Sequence, residues 1–223
     1  MATRRRGSND ALSQRNWRIV EVYARRESRP LTFDFDPANP VLTVGGAIAS
    51  GAPVMVAGAF DQSASAHRAD VLVFDTLPLS TDVELTGTVV AHLYVSSSAV
   101  DTDFTIKLLD VYPPSDDYPQ GFAMNLAHGI LRTRFRHSFE NPEPMEPNAV
   151  HALTIPAFPT SNLFARGHRI RVEVSSSNFP HFDVNPNVDW RDPAAVPQIA
   201  HNAVHIDAAY PSHIVLPVVP PRN

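Results

Sequence analysis

The segment V-S-S-S-N-F-P-H-F-D, residues 174–183, places Ser175, Ser176, Ser177, His181 and Asp183 within ten positions. These are the residue types of nucleophilic hydrolysis: a serine to attack a carbonyl, a histidine to take its proton, an aspartate to orient the histidine. That chemistry also needs the serine exposed on a strained turn and donors placed for the oxyanion. The chain has no G-x-S-x-G elbow, and serines on an extended strand gain neither the turn nor a helix N-terminus. The residues favour a structural reading, in which the hydroxyls and Asn178 bond local backbone where a sheet ends.

Three other groupings bear on chemistry. His201 and His205 have the four-residue spacing of the zinc helix H-E-x-x-H, but position 202 is asparagine and A-V-H-I-D alternates like a strand, which sets the two rings apart. Asp101 and Asp103 could ligate calcium from a loop; the D-x-D-x-D-G pattern is missing, so a solvated turn is expected. Neither a metal nor a cofactor is expected. Phe179, Phe182 and Trp190 suit either a sugar-stacking platform or the apolar cap of a core.

Arginines form the remaining pattern. Arg132, Arg134 and Arg136 alternate in L-R-T-R-F-R-H, and Arg169 and Arg171 in H-R-I-R-V-E-V. On adjoining strands they would make a basic face, suited to carboxylates or to a protein surface through forked hydrogen bonds. Paired with acids such as Glu173 they would be ordinary cross-strand ion pairs.

The elements that must carry these residues have period two. In 83–95, Val83, Leu85, Val89, Ala91, Leu93 and Val95 are apolar between mostly polar neighbours, and Ile170, Val172 and Val174 alternate with Arg169, Arg171 and Glu173. Further strand-like runs lie at 71–74, 104–108, 152–155 and 213–219. Proline-rich punctuation such as V-Y-P-P-S-D-D-Y-P and E-N-P-E-P-M-E-P-N separates them, and 21 prolines exclude long helices. A helical piece is expected only around 10–26, where Trp17, Val20 and Tyr23 are loosely spaced. The pattern is that of an all-β sandwich or jelly roll over residues 31–223, after an Arg-rich leader, residues 1–30, disordered or partly helical.

Composition removes whole classes of function. A 223-residue chain without cysteine has no disulfide, thiol nucleophile or thiolate metal site. Residues 1–30 hold eight of the 18 basic residues and three of the 23 acidic ones, so the rest carries ten basic against twenty acidic. An acidic body argues against nucleic acid. No apolar run approaches the ~20 residues of a membrane span, and no apolar core of a secretory signal is recognised, so cytoplasm is the default location.

Several long motifs carry a family likeness. F-D-P-A-N-P-V-L-T-V-G-G (35–46), G-A-F-D-Q (58–62), D-V-L-V-F-D-T-L-P-L (70–79), L-Y-V-S-S-S-A-V-D-T-D-F-T-I-K-L-L-D-V-Y-P (93–113), G-I-L-R-T-R-F-R (129–136), F-P-T-S-N-L-F-A-R-G-H-R-I-R-V-E-V-S-S-S-N-F-P-H-F-D-V-N-P-N (158–187) and H-I-D-A-A-Y-P-S-H-I-V-L-P-V (205–218) run in order. Together they resemble the C-terminal domain of CocE/NonD serine hydrolases, a type shared with X-Pro dipeptidyl-peptidases, over about residues 33–219. The resemblance implies a jelly-roll β-sandwich similar to galactose-binding domains, packed on an α/β-hydrolase domain that precedes it and holds the catalytic serine, aspartate and histidine. No catalytic residue transfers to this chain.

The resemblance makes Ser175, Ser177, Asn178, Phe179, His181 and Asp183 a fixed strand-end loop, structural or facing the hydrolase domain. Residues 1–30 match nothing in the family. A truncated or frameshifted gene, a domain made by itself, or half of a split enzyme would explain that. The expected function is a non-catalytic domain of an ester, amide or dipeptidyl-peptidase-like hydrolase, with self-association through the face left open. The alternative is a free-standing carbohydrate- or protein-binding module.

Overall fold

The computed structural model describes the backbone of residues 2–5, 18–23, 30–41, 47–49, 52–54 and 59–220, and side chains over 30–41 and 59–220. Among them, fifteen strands run in chain order: β1 (Ala2–Arg5), β2 (Arg18–Tyr23), β3 (Leu31–Phe35), β4 (Ala47–Ala49), β5 (Ala52–Val54), β6 (Leu72–Asp75), β7 (Val83–Gly87), β8 (Val90–Ser97), β9 (Asp103–Tyr112), β10 (Phe122–Arg132), β11 (His151–Pro156), β12 (Thr160–Phe164), β13 (Arg169–Ser175), β14 (Ala200–His205) and β15 (His213–Val218). No described residue is in an α-helix. Where a helix was expected around 10–26, Arg18–Tyr23 is strand β2, antiparallel to β15; the rest of that stretch and of the leader lies outside the described residues.

The strands form two main antiparallel sheets. In the larger, β8 is central: β11 lines one side of it, while β14 and β15 share the other. β3 extends the sheet from β14, β2 and β1 extend it from β15, and β7 with β12 joins at Val218–Leu85. The smaller sheet has the order β10-β9-β13-β6, and β4 with β5 forms a separate hairpin. One apolar cluster lies between the two sheets. It includes Phe33, Leu93, Val95 and Ile214 from the large sheet and Phe104, Ile106, Leu108, Val172 and Val174 from the small one. The architecture is a β-sandwich.

The alternation read from sequence is the alternation of burial. Along β8, Ala91, Leu93 and Val95 point inward and His92, Tyr94 and Ser96 outward. The expected single strand 83–95 is broken at Gly87, whose φ of 138° only glycine adopts readily, yet Leu85 and Val89 on either side stay buried. L-R-T-R-F-R-H is not one strand either: β10 stops at Arg132, and Thr133–Phe135 is a 3-10 turn.

The larger surprise lies on the outer face of the small sheet. β9 is buried from Asp103 to Asp110 without a break. Phe104, Ile106 and Leu108 fill the sandwich core, so Asp103, Thr105, Lys107 and Leu109 face the opposite way and are nevertheless shielded. Two segments cover them. Residues 61–68 bring Gln62 to Lys107 and Ser65 to Glu173, and residues 177–187 bring Ser177 to Thr105 and Asn185 to Asp103.

Candidate functional site

That covered face carries most of the residues singled out from sequence, in cross-strand rows set by register. At one end β10 places Arg132 beside Asp103 of β9. Arg132 donates Nε and Nη2 to the two carboxylate oxygens of Asp103 at 2.9 and 3.0 Å. Bonding to Asp103 pushes the Arg132 guanidinium up from its ordinary range, against its desolvation. Asn185 Nδ2 donates to both Asp103 and Asp101. Asp101 also accepts from the Arg134 backbone N–H, the Thr133 hydroxyl and, at 3.4 Å, the Arg134 guanidinium. Burial still raises the Asp101 carboxyl above its usual value, outweighing those bonds. The expected solvated turn is thus a buried carboxylate pair, its oxygens occupied by arginine, asparagine and threonine donors rather than open to a cation.

The next row holds the serines. Ser175 Oγ lies 2.8 Å from Thr105 Oγ1, and Ser177 Oγ donates to the Val41 carbonyl at 2.9 Å. Ser176 Oγ, on the other side of the strand end, accepts from Asn202 Nδ2. The Phe179 N–H also reaches the Val41 carbonyl, so this loop is sewn to the segment after β3. His181 contacts rings instead: its centroid is 4.5 Å from His128 and 5.0 Å from Phe182. The Asp183 carbonyl accepts from Arg132. The segment 175–183 therefore gathers a serine, a histidine and an aspartate without a hydrogen bond between any two of them.

The third row was not anticipated. His128, Lys107 and Glu173 face each other across β10, β9 and β13. Lys107, the one lysine of the chain, is 3% exposed and Glu173 also 3%. Lys107 Nζ reaches Gln62 Oε1 at 3.4 Å, and Glu173 Oε2 accepts from Ser65 Oγ at 2.7 Å. Burial lowers the Lys107 ammonium, with Glu173 pulling the other way; burial raises the Glu173 carboxyl, with the Ser65 bond and Lys107 opposing it. His128 is pushed down to about 4, by desolvation first and then by His181 and Lys107. In F-T-I-K-L the lysine reads as a solvated outward residue. Only the covering segments reverse that, and their packing leaves no local signal.

The remaining candidates are dispersed. Arg171 forks onto Asp75 at 2.7 and 2.9 Å, and Arg169 donates to the Thr76 carbonyl. Both sit opposite Leu109 and Val111, six or more residues along β9 from Asp103, a separation of about 20 Å. Arg136 turns back onto the carbonyls of Thr133, Glu143 and Pro144. The five arginines do not share one basic face. Trp190 carries the Arg134 and Arg191 guanidinium groups 5.0 and 5.3 Å from its ring, and Phe182 packs on His128, so these aromatics are not a joint platform with Phe179. His201 meets Asp34 while His205 meets Ser96. Among the described residues no three His, Asp or Glu side chains converge as a metal site.

Fold and site define a β-sandwich whose serines and charges hold its own loops in place. Residues 14–215 match the X-Pro dipeptidyl-peptidase C-terminal non-catalytic domain, and the chain belongs to that family. It is 44% identical over 193 residues to cocaine esterase of Rhodococcus sp. (strain MB1 Bresler), covering 84% of this chain and 32% of that protein. Among solved structures, an aminopeptidase from the marine sediment archaeon Thaumarchaeota archaeon aligns with TM-score 0.77 at 32% identity, over 87% of this chain and 34% of that one. An α-amino acid ester hydrolase aligns with TM-score 0.76 at 31% identity, over 87% and 33%. The chain matches the C-terminal non-catalytic domain of CocE/NonD-type hydrolases and spans about a third of the length of these relatives.

Proposed function

We propose that this domain serves a serine hydrolase as a non-catalytic partner: it packs on an α/β-hydrolase region that holds the nucleophile, and contributes no catalytic residue. The observation that carries this reading is the bonding of the three serines. Each hydroxyl is committed to Thr105, Asn202 or Val41, none to a histidine, and the family is itself described as non-catalytic. The loop divides its work. Ser175, Ser177 and Asn178 are buried and hold the sheet end, while Phe179, His181 and Asp183 are exposed and are available to the hydrolase region. The activities by which these relatives are named support an ester or amide substrate for the assembled enzyme. Among the described residues no helix is long and apolar enough to cross a membrane.

A chimera tests this. The hydrolase region of the Rhodococcus esterase is joined to residues 14–215 of this chain in place of its own C-terminal third. The expected result is a folded esterase whose activity survives Ser177→Ala; an inactive chimera, or one in which Phe179→Asp and His181→Asp change neither its stability nor its activity, would contradict the docking role.

A further inference from the structure

The sandwich core is not completely filled. At the margin where the short strand β6 ends the small sheet, a cavity of about 40 Å³ opens between the sheets. Phe74, Ile106, Val172 and Val174 line it from one sheet, Ala91, Leu93, Val204 and Ile214 from the other. Ala91 is the small member of the inward row on β8, flanked by Val89 and Leu93 and paired with Ile155 and Ile214. Among the described residues the one hydroxyl at the rim is Ser212 Oγ, which donates to the His205 carbonyl at 2.6 Å and accepts from the Tyr94 N–H at 2.8 Å, so it is spent on the fold. His213, also at the rim, has Nδ1 2.9 Å from the Pro211 carbonyl and its ring stacked on His92, and the rest of the lining is apolar.

Size and lining choose the guest. Roughly 10–15 Å³ of such space holds one water, so this cavity admits about three or four non-hydrogen atoms. A cavity known to take benzene is several times larger, about 150 Å³. The lining atoms also lack contacts on one side, dispersion energy that an apolar guest would restore. We infer that the inter-sheet cavity beside Ala91 is a binding site for a small aliphatic group of three or four carbons, reached from the β6 margin.

Methyl NMR on the whole chain tests this independently of any hydrolase partner, using dissolved cyclopropane, with xenon as a second probe and benzene as the size control. Saturable shifts confined to the methyls of Leu93, Ile106, Val174, Val204 and Ile214, with none from benzene, are expected. Ala91→Val should abolish the cyclopropane shifts and raise Tm by about 2–4 °C, the change that ~1 kcal/mol brings in a domain of this size. Should Ala91→Val fail to fold, Val174→Ile fills the same space from the opposite sheet and should likewise abolish the shifts. Absence of saturable shifts in the unmodified chain, benzene shifts at the same methyls, or cyclopropane shifts that persist in a folded filled variant would each overturn the assignment.

Discussion

His128 stays uncharged down to about pH 4 because its ring is desolvated beneath Phe158 and Phe182 and lies beside His181 and Lys107. An unfolded chain takes up that proton near the ordinary 6.5, so the unfolded state binds more protons between the two values. Stability from this group is complete above pH 6.5 and is lost as pH falls toward 4. Glu173 and Asp101, with raised carboxyls, act in the opposite sense, since acid relieves their burial as charges. The His128 contribution is therefore read as a difference. Urea midpoints at pH 7 and pH 4.5 should fall further apart for the native chain than for His128→Gln, and equal gaps would refute the linkage.

Two other side chains carry stability predictions. Arg132→Ala strands the 1%-exposed carboxylate of Asp103 with Asn185 as its remaining donor, and should cost about 3–5 kcal/mol in urea denaturation. Ser177→Ala removes one of the two donors on the Val41 carbonyl, the Phe179 N–H remaining, for about 0.5–1.5 kcal/mol, a structural loss with no effect on chemistry.

At the scale of elements, β10 is held against the β11–β12 corner through Gly129. A Cβ there would fall 2.5 Å from the Pro156 carbonyl oxygen, a backbone atom that cannot step aside, while the Phe158 N–H bonds the neighbouring His128 carbonyl. Gly167, in the turn before β13, differs: its φ is 89° but nothing lies within 4 Å of an added Cβ. Gly129→Ala should lose about 1–3 kcal/mol by overpacking, Gly167→Ala about 1 kcal/mol from conformation alone. Thermal unfolding of the two variants gives the order, and a smaller loss for Gly129→Ala would contradict this view of the corner.

The same elements show what could be read in advance. Leu85, Val89, Ala91, Leu93 and Val95 announce a half-buried strand because one face meets the core and the other meets water. β9 breaks that logic. Asp103, Thr105 and Lys107 alternate with Phe104, Ile106 and Leu108 as any exposed face would, yet distant segments cover them, and a packing made by residues 61–68 and 177–187 leaves no period in β9 itself. For the same reason the arginine stripe of 132–136 looked like one face: the 3-10 turn after Arg132 is set by Thr133, which bonds Thr102 and Asp101, not by propensity. The serine loop shows the same limit: bonds to local backbone were expected, but Ser175, Ser176 and Ser177 reach Thr105, Asn202 and Val41, partners far along the chain that no local pattern names.

On the scale of the whole molecule, the polar residues of the outer face spend their hydrogen bonds inward while several apolar side chains remain outside. Phe158 is 55% exposed and Leu163 57%, on and beside the β11–β12 corner. Exposed apolar surface of this sort favours association. The isolated chain should gain mass with concentration in analytical ultracentrifugation, and Phe158→Asp should shift it toward monomer; a chain that stays monomeric throughout would remove this corner from consideration as a contact face.

A domain that supports hydrolysis only as a partner carries no reactive serine of its own, and active-site labelling of the purified chain tests that. It would be incubated with a fluorophosphonate probe and assayed for turnover of a p-nitrophenyl ester and an aminoacyl anilide, with Ser177→Ala alongside. The account predicts no labelled serine and no turnover that follows the protein through purification, with the variant behaving identically. A covalent adduct on Ser175, Ser176 or Ser177, or turnover that disappears in Ser177→Ala, would contradict it.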